Sequence, residues 1–68
     1  MQLQDGNDIR AERARRGVSR FWLSKMTGIP FTTLGGIERG GALPTQKQLE
    51  LIIAAFKWFD DRPVVNVA

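Results

Sequence analysis

The residues able to do chemistry are few, and their types narrow the possibilities at once. The chain has no histidine and no cysteine. Histidine is the usual proton-transfer group near neutral pH and a frequent metal ligand. Cysteine supplies thiolate ligands, nucleophiles and disulfides. The seven carboxylates are scattered, and Asp60-Asp61 alone is too small a ligand set for a cation. Ser19 and Ser24 have no base beside them. Neither an enzyme nor a metal or cofactor site is expected. What remains is positive charge. The net charge is +3, and between Arg10 and Lys25 six basic residues accompany one acid, Glu12. A localised basic face suits an anionic partner, either nucleic acid or a membrane surface. The plainer alternative is that these arginines solvate exposed helix faces.

The elements that would hold those charges can be read from caps and periodicity. The sequence has 68 residues, enough for one domain over 1–68. Its core would supply only about 3–5 kcal/mol, so regular helix packing or oligomerisation must help. Met1 to Asn7 is polar and unlike a signal peptide. The longest apolar run, Leu51 to Phe56, is far below the roughly 20 residues of a membrane span. A soluble, cytoplasmic protein is expected.

Four helices follow. The first spans Asp8 to Arg16, with Asn7 as N-cap, Ile9 and Ala14 as its thin apolar side, and Gly17 as its stop. The second spans Arg20 to about Thr27, capped by Ser19 and ended by Gly28. Phe21 or Trp22, Leu23 and Met26 form its apolar stripe. The third runs from about Phe31 to Arg39, after Pro30 and before Gly40-Gly41, with Leu34 and Ile37 inward. The fourth opens at Pro44-Thr45, where Thr45 and Gln48 match a capping box. Leu49, Ile52, Ile53 and Phe56 give it an i, i+3, i+4, i+7 face as far as Trp58 or Phe59. Asp60-Asp61-Arg62-Pro63 reads as a turn, and Val64, Val65 and Val67 as a short strand. The second and third helices meet across Thr27-Gly28-Ile29-Pro30, the spacing of a helix-turn-helix.

Val18 to Gly40, VSRFWLSKMTGIPFTTLGGIERG, resembles the helix-turn-helix of the lambda-repressor-like, Cro/Xre-type family. The Ser19 cap, Leu23, Ser24, Gly28-Ile29, Leu34 and the ending Ile37-Glu38-Arg39-Gly40 carry the likeness, which extends over roughly residues 8 to 58. It implies an all-α domain of four to five helices with the helix-turn-helix at about 19–39. It also implies roles. Ser19 and Arg20 match positions at a backbone phosphate. Phe31, Thr32, Thr33 and Gly36 match the groove-facing side of the recognition helix. Arg39, the Gly40-Gly41 backbone, Thr45 and Lys47 match a second phosphate clamp. Arg13 and Glu38 match a partly buried ion pair. The partner implied is double-stranded DNA, with no membrane and no small-molecule ligand.

Several residues depart from the family pattern. No side chain of the third helix before Glu38 can make a bidentate contact to guanine or adenine. Phe31 has two placements open to it: against thymine methyls in the groove, or inward over Leu34. Gly35-Gly36 either lets the backbone approach the bases or accommodates another helix. Phe21 and Trp22 are 100° apart and cannot both point inward. Glu12 replaces a residue that is often apolar, and Lys57 a helix-ending glycine. Trp58, Phe59, Val64, Val65 and Val67 exceed what so small a monomer easily hides, so the tail, 60–68, reads as a dimerisation segment for a homodimer on DNA. The alternative is that it folds back on its own core. The function implied is a sequence-specific transcriptional regulator, a Cro-like or minimal phage-type repressor acting by operator occupancy. The competing function is an antitoxin-like protein-interaction module of the same fold, with weak DNA binding.

Overall fold

A computed structural model describes residues 3–63. The expected strand and dimer residues Val64, Val65 and Val67 lie outside the described residues. Four helices follow one another: α1 (Gly6–Arg16), α2 (Arg20–Thr27), α3 (Phe31–Glu38) and α4 (Gln46–Asp61). Among the described residues there is no strand. Helix α2 packs on both α3 and α4, and α1 packs on α3. One side chain or more from each helix meets in a core of Ile9, Leu23, Ile29, Leu34, Ile37, Ile52, Ala55 and Phe56. Among the described residues no helix is long and apolar enough to cross a membrane.

Helix α1 starts two residues earlier than its pattern suggests, and Asp5, not Asn7, is its cap. Asp5 accepts the Asp8 N–H at 3.0 Å, and the Asp8 carboxylate accepts the N–H groups of Asp5 (3.3 Å) and Gln4 (2.7 Å). This reciprocal box satisfies more orphan donors than Asn7 would. The two added residues place Gly6 against the Ile37 carbonyl and the Glu38 Cα, where no side chain fits. Of the two apolar residues expected to face inward, Ile9 is fully buried and Ala14 is exposed. The burial of Gly6 and of the Arg16 stem replaces Ala14.

Helix α2 keeps its expected bounds, but Met26 is 40% exposed. Thr27 takes the inward place. Its hydroxyl donates to the Leu23 carbonyl at 2.8 Å and accepts the Ile29 N–H at 3.1 Å, so its polarity is satisfied. Of the adjacent aromatics, Trp22 turns to the core and Phe21 stays outside. Helix α3 ends at Glu38, one residue short of its expected end, with Arg39 as C-cap.

Helix α4 begins with the expected box: the Gln48 N–H donates to Thr45 Oγ1 at 3.0 Å, and the Thr45 N–H to Gln48 Oε1 at 2.9 Å. It continues through Asp60 and Asp61, which are helical rather than a turn. The reason is tertiary. Arg16 donates to both carboxylate oxygens of Asp60, at 2.8 and 2.6 Å, and to Glu12 Oε1 at 2.6 Å. Its guanidinium also lies 4.5 Å from the Phe56 ring centroid. These contacts tie α1 to the last turns of α4. The Arg16 guanidinium holds the Asp60 carboxyl below its ordinary range, and Arg16 and Arg15 do the same for Glu12. Reciprocally, the hydrogen bond to Asp60 raises the Arg16 guanidinium despite burial. Glu12, which looks like a weakness in the core, is the second anchor of this clasp.

Candidate nucleic-acid interface

The site begins at a cap. Ser19 Oγ accepts the Trp22 N–H at 3.0 Å, which starts α2 and makes Arg20 its first helical residue. At the other end Gly28 adopts φ 76°, a left-handed conformation that closes the helix. Ser24 Oγ donates to the Ile29 carbonyl at 2.7 Å, across the turn. Ile29 is buried, so the turn is pinned by a side chain as well as by hydrogen bonds. Pro30 then starts α3, its carbonyl accepting the Leu34 N–H at 3.0 Å. The result is two short helices joined by a braced three-residue turn.

Helix α3 is divided lengthwise. Leu34 and Ile37 are buried. Phe31 and Thr32 are exposed, and Thr33 and Gly36 are half-buried. A Cβ on Gly36 would meet nothing within 4 Å, so this side of the helix is open. Phe31 is 47% exposed and does not turn over Leu34 as core. The Arg20 guanidinium lies 5.3 Å from its ring centroid, which holds the ring near the N-terminal end of α3.

Beneath this side sits the pair Arg13–Glu38. Arg13 Nε and Nη2 donate to the two carboxylate oxygens at 3.0 and 2.8 Å, and Nη1 donates to the Val18 carbonyl at 3.1 Å. The Glu38 side chain is 1% exposed. A carboxylate so deeply placed needs such a forked partner. Arg20 Nη2 also approaches Glu38 Oε1, at 3.6 Å.

The expected phosphate-binding residues are only partly grouped as the resemblance implies. Arg39 reaches back along α3 and meets Arg20 over Gly35. The Gly40 and Gly41 N–H groups turn inward, to the carbonyls of Ile37 (3.0 Å) and Gly36 (2.8 Å), so these donors are already occupied. Thr45 and Lys47 are exposed at the start of α4, and the Thr45 hydroxyl is engaged in its capping box. Of the aromatics assigned to a dimer, Trp58 is 56% exposed. Phe59 is half-buried instead, edge-on to Trp22 at 5.7 Å and covered by the Arg62 guanidinium at 3.8 Å. Sequence spacing carries no sign of the Arg20–Arg39 convergence or of the Arg16–Asp60 link. Each depends on residues brought together by the packing of separate elements. Among the described residues no cluster of metal-ligating side chains is present.

A braced helix pair with an uncovered second helix and flanking arginines is the arrangement of helix-turn-helix proteins that enter the major groove. A helix-turn-helix family model matches residues 9–57, and the chain belongs to that family, in its Cro/Xre-type branch. At that level it is a DNA-binding transcription regulator. No curated protein and no solved structure matches the chain.

Proposed function

We propose that residues 1–68 act as one DNA-binding domain, a Cro-like or minimal repressor that occupies its operator as a homodimer and catalyses no reaction. The observation that carries this reading is the open side of α3, where Phe31, Thr32 and Gly36 are free of the protein's own core and Arg20 stands beside them. Thr32 offers a hydroxyl to base edges, Phe31 an apolar face to thymine methyls, and Gly36 a backbone that can come close to the bases. None of these is a bidentate reader. Sequence preference should therefore be modest and supplemented by groove shape. Affinity should come mainly from arginines on phosphates and fall steeply with added salt. Repression would follow from occlusion by two recognition helices about 34 Å apart on one face of the duplex.

Selection from randomised duplexes at two salt concentrations tests the reading. Arg20→Ala should weaken binding to all sequences by a similar factor, roughly tenfold. Thr32→Ala should change which bases are preferred. If the two variants shift the selected sequences identically, Thr32 is not in the groove.

A second reading is supported by the 60% exposed Phe21 and the 40% exposed Met26 on α2. Apolar side chains there suit a protein partner. A protein-interaction module would give no salt-sensitive complex with duplex DNA at micromolar concentration.

A further inference from the structure

Family likeness assigns Arg20 and Arg39 to separate stretches of DNA backbone, yet their charged ends converge. A Cβ built on Gly35 would lie 3.0 Å from Nη1 of Arg20 and 3.0 Å from Nη1 of Arg39. Two guanidinium groups thus meet over one point on α3, and Gly35 beneath them is buried. Like charges at this range repel unless an anion lies between them. Glu38 does not serve that purpose, because Arg13 already holds both of its oxygens. Among the described residues, the 3.6 Å approach to Glu38 is the one ion pair of Arg20, and Arg39 has none. Arg13 and Arg20 therefore share one carboxylate and Arg39 adds a third guanidinium beside Arg20, which leaves an excess of two positive charges in this cluster.

We infer that Arg20 and Arg39 form one clamp that closes on a single phosphodiester of the DNA backbone, and that glycine at position 35 is what allows it to close. The inference rests on the DNA-binding reading above and specifies how the backbone is held. A phosphodiester has two charged oxygens, and each can accept from a different guanidinium fork. One arm is pre-placed, since the Arg20 guanidinium is held between the Phe31 ring at 5.3 Å and Glu38 at 3.6 Å. The other arm lies across Gly35. Glycine is the poorest helix former after proline, so its place inside α3 is otherwise unfavourable. A Cβ there would meet only the ends of two flexible side chains, so Gly35→Ala should disturb the clamp and not the fold.

The salt dependence of binding separates one shared phosphate from two. The slope of log affinity against log salt changes by about 0.9 for each phosphate neutralised on B-form DNA. Binding of a labelled duplex of mixed sequence is measured across salt for the unaltered protein, Arg20→Gln, Arg39→Gln and the double variant. A shared phosphate predicts a slope loss of about 0.9 per bound protomer in the double variant, and a combined affinity loss well below the product of the single losses. Gly35→Ala should weaken binding several-fold while its melting temperature stays level or rises. A slope loss of about 1.8 per bound protomer with multiplicative affinity losses would mean two independent phosphates, and the clamp is then wrong while DNA binding stands. An unchanged slope in the double variant would equally remove the clamp. Absence of any salt-sensitive complex with the unaltered protein would instead remove the DNA-binding reading, and the clamp's ligand with it.

Discussion

Two glycines show how one residue type serves different physical ends. Gly6 lies where α1 crosses the backbone of α3, and an added Cβ would collide with the Ile37 carbonyl and the Glu38 Cα. Backbone cannot yield as a side chain tip does. Gly36, on the open side of α3, has nothing within 4 Å of the same added atom. One substitution therefore has opposite expected outcomes. Gly6→Ala should lower stability by about 3 kcal/mol, at the upper end for overpacking. Gly36→Ala should raise it by up to about 1 kcal/mol through helix propensity. Urea melts of the two variants check both signs. Equal effects would mean that α1 does not cross α3 at Gly6. The buried Glu38 belongs to the same neighbourhood, since its backbone touches Gly6 and its carboxylate holds Arg13. That one residue joins the brace of the recognition helix to its charge balance.

Among the helices, α1 is the least apolar, and polar links compensate. Arg16, with a side chain only 2% exposed, joins Glu12 on its own helix to Asp60 at the end of α4. Both acids have lowered pKa values, chiefly through hydrogen bonds from Arg16. Their folded values lie below their unfolded ones, so above the unfolded values, near pH 4, the clasp's stabilisation is fully present. It is lost as pH falls through the lower folded values. The melting temperature should therefore hold level from neutral pH down to about 5 and fall below about 4. Asp60→Asn should flatten part of that fall. An identical acid profile in Asp60→Asn would show that the contact stores no pH-dependent stability. The end of α4 should loosen first on acidification, because Asp60 lies in its last turn.

Over the molecule as a whole, one exposed aromatic, Trp58, lies on a different helix from the arginine pair. The arginine pair lies on α2 and at the C-cap of α3, whereas Trp58 stands exposed on α4, beside Ala54, Lys57, Asp61, Arg62 and Pro63. The homodimer proposed for DNA binding would use this α4 surface, leaving the recognition helices free. Phe59 is already engaged by Trp22 and Arg62, so of Trp58 and Phe59 the former is the one available to a second copy. Trp58→Ser should then leave half-site binding unchanged and lower affinity for a full operator by about 100-fold, through loss of paired binding. Sedimentation of protein–operator mixtures checks it. Two chains per duplex with unaltered affinity in Trp58→Ser would place the dimer contact elsewhere.

Local chemistry was sufficient for much of this protein. The Ser19 cap, the Thr45–Gln48 box, the Gly28 stop and the Leu34/Ile37 and Ile52/Phe56 spacings act within one or two turns, so a linear reading finds α2, α3, the start of α4 and the helix-turn-helix itself. Burial of Arg13 with Glu38 was legible only through family likeness, because 25 residues separate them. Where two local options competed, packing chose. Asp5 prevailed over Asn7 once Gly6 could lie against α3, and Asp60-Asp61 stayed helical because Arg16, 44 residues away, reached them. The outward placement of Phe31 and the meeting of Arg20 with Arg39 were likewise settled by tertiary structure. Caps and periodicity are energies of neighbours along the chain, whereas a guanidinium's partner depends on how separate helices cross, and no spacing in the sequence encodes that crossing.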